Sequence, residues 1–338
     1  MLATEWYSPF IGAVPGVIVG GLLTVLYQRW TWGQRRVRAA LRVSKAANAY
    51  DPGSDEILSL WTWSPNRRLK QASLRTVPVR PTADRRHLLA GEEFDALAAE
   101  FAASGAAGDN VQILGFERDY RESARSQSFE VTLGLTQYSE VLASQRLMAS
   151  RPELRQQLRA HFDSDPNSFL AQVPPTSTSA NVLVVSARGR VLALRRSRTV
   201  ELFAGQWGFG INETMKYRDE GGGIEDFFAV VHRGLEEELG LFRDEYRGPE
   251  ITAVTYRLLD DFGVTAVVQL QPHISEQEVI DRMWRSHSSF EHDDARWIPI
   301  RRATVNTLMR HGRVKGVDGE WIYFARFSLR ELWRYRPR

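Results

Sequence analysis

Glu225, Arg233, Glu237 and Glu238 stand at intervals that suggest chemistry rather than surface decoration. They fall within Gly221–Phe242, GGGIEDFFAVVHRGLEEELGLF, where a glycine run leads into an apolar stretch ending in three successive glutamates. At about 3.6 residues per turn, a helix from Glu225 to Leu239 puts Phe228, Val231, Leu235 and Leu239 on one stripe. Glu237 and Glu238 occupy a neighbouring face, with Gly234 three and four residues before them. Like charges at such spacing repel and weaken a purely structural helix. A hard divalent cation such as Mg²⁺ relieves that repulsion by taking carboxylate oxygens, and it also holds phosphates. The alternative is a solvated acidic turn. Gly240 follows the last apolar residue and suits a left-handed helix cap.

Glu225, Arg233, Leu235, Glu237, Glu238, Gly240 and Leu241, taken with their spacing, resemble the Nudix box. Trp207-Gly208-Phe209-Gly210 is similar to the strand end that precedes that box. The resemblance covers roughly 175–335 and implies an α/β/α sandwich and a Mg²⁺- or Mn²⁺-dependent hydrolase. It implies that Glu237 and Glu238 bind the metal with Glu225 beside them, and that Arg233 orients the box carboxylates. Two positions depart from the pattern. Asp219 stands where the box has glycine, and Gly234 stands where it has a glutamate, usually a metal ligand. On sequence grounds, Gly234→Glu restores a third carboxylate and regains helix propensity of about 0.5–1 kcal/mol.

Another carboxylate can substitute. Phe290–Trp297 (FEHDDARW) offers Glu291, Asp293 and Asp294, and Glu291 is the candidate base; His292 could also act, although one histidine in such a polar loop reads more readily as solvated. Arg195 and Arg196 end a strand and are candidate phosphate contacts. Trp207 is either a platform for a nucleotide base or a core residue, with the core favoured.

The elements that must position these groups follow from periodicity. Asn181–Ala187 and Val191–Leu194 read as a hairpin, 250–256 and 264–270 as a second strand pair turning at 260–263, and 297–300 as a short strand. Helices are expected over 276–286 and 301–310. Upstream, 92–103, 138–149 and 152–161 read as helices and 129–135 as a strand. Asp165-Pro166 and the run Pro174–Ser179 (PPTSTS) mark the best domain boundary. The expected organisation is 1–8 outside the cell, a transmembrane helix over 9–28, a basic juxtamembrane segment over 29–53, an α+β accessory region over 54–173, and a Nudix-like domain with a mixed sheet over 175–338.

The membrane expectation rests on Pro9–Tyr27, which carries no charge over about the length that spans a bilayer. Arg29, Arg35, Arg36, Arg38, Arg42 and Lys45 all follow it and no basic residue precedes it, which places the downstream chain in the cytoplasm. Gly12, Gly16 and Gly20 line one face on which two such helices can associate. With no cysteine among 338 residues, disulfides and thiolate catalysis are excluded, and a net charge of +3 argues against a nucleic-acid partner. Two functions compete. One is a membrane-anchored hydrolase of a nucleoside-diphosphate-linked substrate. The other is a catalytically weak sensor of a cyclic nucleotide, since the layout resembles the membrane-anchored Nudix effectors of bacterial anti-phage signalling.

Overall fold

Val182, Leu183, Val184 and Val185 are all buried, which explains why this run is apolar without alternation. Side chains along a strand point to opposite faces in turn. Val182 and Val184 enter one hydrophobic cluster, and Leu183 and Val185 enter another across the sheet. Leu192 and Leu194, against Val191 and Ala193, divide in the same way. A sheet covered on both faces is the expected setting for such strands.

The computed structural model describes residues 57–62, 74–78, 87–106, 108–119, 128–165, 169–170, 172–200, 203–218, 223–258, 261–286 and 288–335. The segments 1–8, 9–28 and 29–53, with Gly12, Gly16 and Gly20, lie outside them, as does Asp219. No helix among the described residues is long and apolar enough to cross a membrane.

The N-terminal part contains β1 (Ile57–Thr62), β2 (Leu74–Pro78), α1 (Glu92–Ala103), β3 (Asp109–Asp119), β4 (Ser128–Gln137), α2 (Tyr138–Ser150) and α3 (Pro152–Ser164). Then come β5 (Ser177–Val185), β6 (Arg190–Arg196), β7 (Trp207–Phe209), β8 (Ile211–Thr214), β9 (Tyr217–Arg218) and β10 (Gly223–Ile224). The chain continues with α4 (Phe227–Leu239), β11 (Tyr246–Arg257), β12 (Asp261–Leu270), α5 (Glu276–Arg285), β13 (His292–Pro299), α6 (Arg302–His311) and α7 (Tyr323–Tyr335).

The main sheet runs β1-β11-β12-β5-β6-β13, with β7 joined to β6 and β8 to β5. It is mixed, because β12 and β5 are parallel while the other pairs are antiparallel. Side chains of α4 fill the cluster on one face, and those of α6 and α7 the cluster on the other. The result is an α/β/α sandwich. A second sheet, β2-β4-β3, carries α1 and α2. Its Val111 and Val131 belong to the same buried cluster as Val182 and Leu235, and β1 pairs with β11 at the edge of the main sheet. The two regions on either side of residue 174 therefore share core and sheet.

Three expectations need correction. The β5–β6 hairpin closes only at Val185 and Val191, because β7 and β8 insert between the diverging strands. Gly210 is the pivot between those two short strands. It has φ 68°, and a Cβ there would meet the Val182 carbonyl oxygen at 1.8 Å, so no other residue fits. Ser177–Ser179, part of the run read as a boundary, is the start of β5, paired in parallel with Asp261–Gly263. Those last residues are strand rather than turn, and Asp261 is buried in an ion pair with Arg257 that closes the β11–β12 connection.

Candidate active site

The box helix α4 starts two residues later than its apolar period suggests, because Asp226 caps it by accepting the Ala229 amide at 2.8 Å. It ends at Gly240, left-handed at φ 60°, whose amide and that of Leu241 return to the carbonyls of Glu236 and Leu235. Phe228, Val231, Leu235 and Leu239 are buried as the stripe requires. Glu225 therefore lies just outside the helix, where it faces the guanidinium of Arg233.

Arg233 donates from Nε and Nη2 to the two oxygens of Glu225, at 3.1 and 2.9 Å, a fork matched to a carboxylate. Its Nη2 also reaches the Thr214 carbonyl at 2.9 Å, and its Nη1 reaches Glu213 at 2.5 Å and Glu237 at 3.4 Å. Burial alone would lower the Arg233 guanidinium pKa, but its bonds to Glu225 and the charge of Glu213 outweigh burial and raise it. The second oxygen of Glu225 also accepts the Lys216 amide at 3.1 Å. Glu225 is thus engaged on both oxygens, and Arg233 is an organising centre for box and strand alike. Glu237 is half exposed and reaches Lys216 Nζ at 3.3 Å.

Glu238 takes a different direction from Glu237. It is buried and lines a cleft of about 560 Å³ together with Glu213, Glu291, Arg196 and Lys216. Burial first, then the negative charges of Glu291 and Glu213, push the Glu238 carboxyl well above the usual carboxylate range. Glu291, on a short turn ahead of β13, is raised too, by burial and by Glu213, against the lowering effect of Arg196. Arg196 Nη2 stands 3.7 Å from Glu291. His292 is buried beside this group rather than solvated, with Nε2 3.3 Å from Glu238. Burial and the nearby Arg196 lower its pKa to about 4, so it is neutral at physiological pH.

Of the remaining candidates, Asp293 accepts the Arg198 amide and Asp294 pairs with Arg296, so Glu291 alone of that acidic trio turns into the cleft. Neighbours on a strand face opposite ways. Arg196 accordingly lines the cleft, while Arg195 lies over the Trp207 ring with its guanidinium carbon 5.8 Å from the ring centroid. Trp207 is fully buried, stacked on Trp321 and donating from Nε1 to the Asp318 carbonyl at 2.9 Å. It has no free face for a base, which corrects its candidacy as a ligand contact. Trp207→Ala is expected to cost about 3–5 kcal/mol of stability, read as a lowered urea midpoint.

Sequence reasoning missed Glu213. The signal was present in Ile211-Asn212-Glu213-Thr214: Ile211 is apolar and packs toward α4, and a period of two puts Glu213 on the same face, against the box helix. Also missed was the opposite wall of the cleft, where Asp109, Asn110, Tyr138 and Gln145 come from β3 and α2.

The donor chemistry fits a hard divalent cation, since three carboxylates face one cleft and two of them are held at raised pKa by burial and by the negative charge of neighbouring carboxylates. Their oxygens do not surround a common centre: no group of three acidic or histidine side chains among the described residues is gathered closely enough to enclose an ion.

No family model and no curated protein matches the chain. Solved structures do. The chain is similar to a MutT protein from Methanosarcina mazei Go1, at 20% identity and a TM-score of 0.31, over 48% of this chain and 97% of that one. It is also similar to a MutT NUDIX hydrolase from Burkholderia pseudomallei, at 17% identity and a TM-score of 0.28, over 47% and 98%. A mutT/nudix family protein from Listeria innocua matches at 12% identity and a TM-score of 0.30, over 48% of this chain and 94% of that one.

Proposed function

We propose that this chain is a Nudix-type hydrolase that cleaves the phosphoanhydride bond of a nucleoside diphosphate linked to a second group, with Mg²⁺ or Mn²⁺ as its cofactor. The observation that carries this reading is the meeting of Glu238 from the box helix, Glu291 from a separate turn and Arg196 from β6 on one cleft. When bound, the cation polarises a phosphoryl oxygen and acidifies water. Glu238 is the box carboxylate that would hold it from inside the cleft. Glu237 would join by releasing Lys216, while Glu225 stays with Arg233.

The other steps belong to side chains of this chain. Arg196 and Lys216 meet the negative charge of the diphosphate. Glu291 takes the proton from the attacking water as the new oxygen–phosphorus bond forms and the anhydride oxygen departs. Its raised pKa brings it nearer to the working pH, which favours a general base. His292, neutral and buried, fixes Glu238 from behind. Tethering to the membrane through 9–28, with the catalytic region in the cytoplasm, is part of the same proposal and rests on the apolar run and the charges that follow it.

Purified full-length protein in detergent, incubated with a panel of nucleoside-diphosphate conjugates and Mg²⁺, is expected to release a nucleoside monophosphate from at least one. Tight binding of a cyclic nucleotide, with no turnover of any conjugate, would replace the hydrolase with the sensor.

A further inference from the structure

Gly234 is the one point at which the box helix lacks a carboxylate, and its surroundings explain the glycine. A Cβ at that position would lie 2.9 Å from Cβ and 3.1 Å from Cγ of Glu213, and 3.1 Å from Cδ1 of Ile211. The nearest of these atoms is set by the backbone of β8, not by a side chain that can swing aside. Glu213 is held in register opposite Ala180 of β5. A side chain at 234 and the glutamate at 213 therefore compete for one space. Glu213 fills it, and its carboxylate reaches Arg233 Nη1 at 2.5 Å and lines the same cleft as Glu238 and Glu291.

We infer that Glu213, on strand β8, supplies the carboxylate that the box helix lacks, and that residue 234 is glycine in order to admit it. Glu213 reaches the cleft lined by Glu238 from the strand side of the helix–strand contact. This inference rests on the reading of the cleft as a divalent-metal site and names a third side chain for it. It also reverses the expectation from sequence that Gly234→Glu repairs the site. With Glu213 in place, the added side chain collides with the strand, so the variant loses thermal stability and gains no metal affinity.

Mn²⁺ binding to the purified full chain, followed by electron paramagnetic resonance and calorimetry, tests the exchange without reference to turnover. Glu213→Gln keeps the shape of the side chain and is expected to weaken Mn²⁺ at least about tenfold, the scale seen when even supporting groups of metal sites are lost. Gly234→Glu alone should melt below the wild type. The exchange variant Glu213→Gly with Gly234→Glu should regain most of the lost affinity and melt above Gly234→Glu alone, because each residue vacates the space the other needs. If Glu213→Gln binds Mn²⁺ like the wild type while Glu238→Gln does not, the metal site stands and the role of Glu213 is overturned. Equal losses in the exchange variant and in Glu213→Gln would overturn the claim that the positions are interchangeable. A wild-type chain that binds no Mn²⁺ would overturn the metal site itself, and this inference with it.

Discussion

Replacing Arg233 with methionine is expected to destabilise the protein by about 3–5 kcal/mol, the range for removing one partner of a buried ion pair. The guanidinium is only 11% exposed, and it faces Glu213 at 15% and Glu225 at 4%. Methionine fills much of the volume but removes the guanidinium that pairs with both carboxylates, next to a third at Glu238. The energetic penalty comes less from the lost bonds than from these largely buried charges losing the guanidinium that compensates them. Urea denaturation of variant and wild type measures it. A loss below about 1 kcal/mol, typical of surface ion pairs, would mean that solvent serves these carboxylates and that Arg233 is not an organising centre.

Glu238→Gln is expected to lower hydrolysis by at least about a hundredfold, the scale of removing one preorganised charged or polar group from a transition state. Without metal, the same change should act in the opposite direction on stability. The folded-state pKa of Glu238 is raised, first by burial and then by Glu291 and Glu213. Such a group favours folding while it is protonated, and that contribution is lost as pH rises from the ordinary carboxylate range through the raised value. Glutamine cannot ionise. In a chelating buffer the two proteins should therefore melt together at acid pH, and the variant should melt higher as pH increases toward neutrality and beyond. Mg²⁺ should narrow or reverse the gap by stabilising the wild type alone. A gap that is independent of pH would show that the Glu238 carboxylate is not buried with its charge uncompensated.

Several features were legible in the order of residues because they depend on near neighbours. The apolar stripe of α4 follows from helical period, its end from Gly240, and the burial of VLVV from an unbroken run of valine and leucine. The spacing of Arg233, Glu237 and Glu238 likewise points to one neighbourhood, since residues within two turns of a helix keep fixed relations. Even Glu291, more than fifty residues later, could be named as a candidate from the clustering of acids ahead of a strand.

What the sequence by itself determined about this protein is a box helix between strands, a set of charged candidates on and around it, and a long apolar segment ahead of them. Only the tertiary structure decided which candidates meet. It turned Glu238 inward and Glu237 out toward Lys216, although they adjoin in sequence, because successive helix positions lie about a quarter-turn apart against a cleft edge. It sent Arg196 into the cleft and Arg195 over Trp207 by the alternation of a strand whose pairing partners are remote. It also brought β3 and α2 across to form the far wall, and set Glu213 into the space left by Gly234. That last contact joins residues on different elements through side-chain volume, and volume becomes a constraint only once helix and strand are packed.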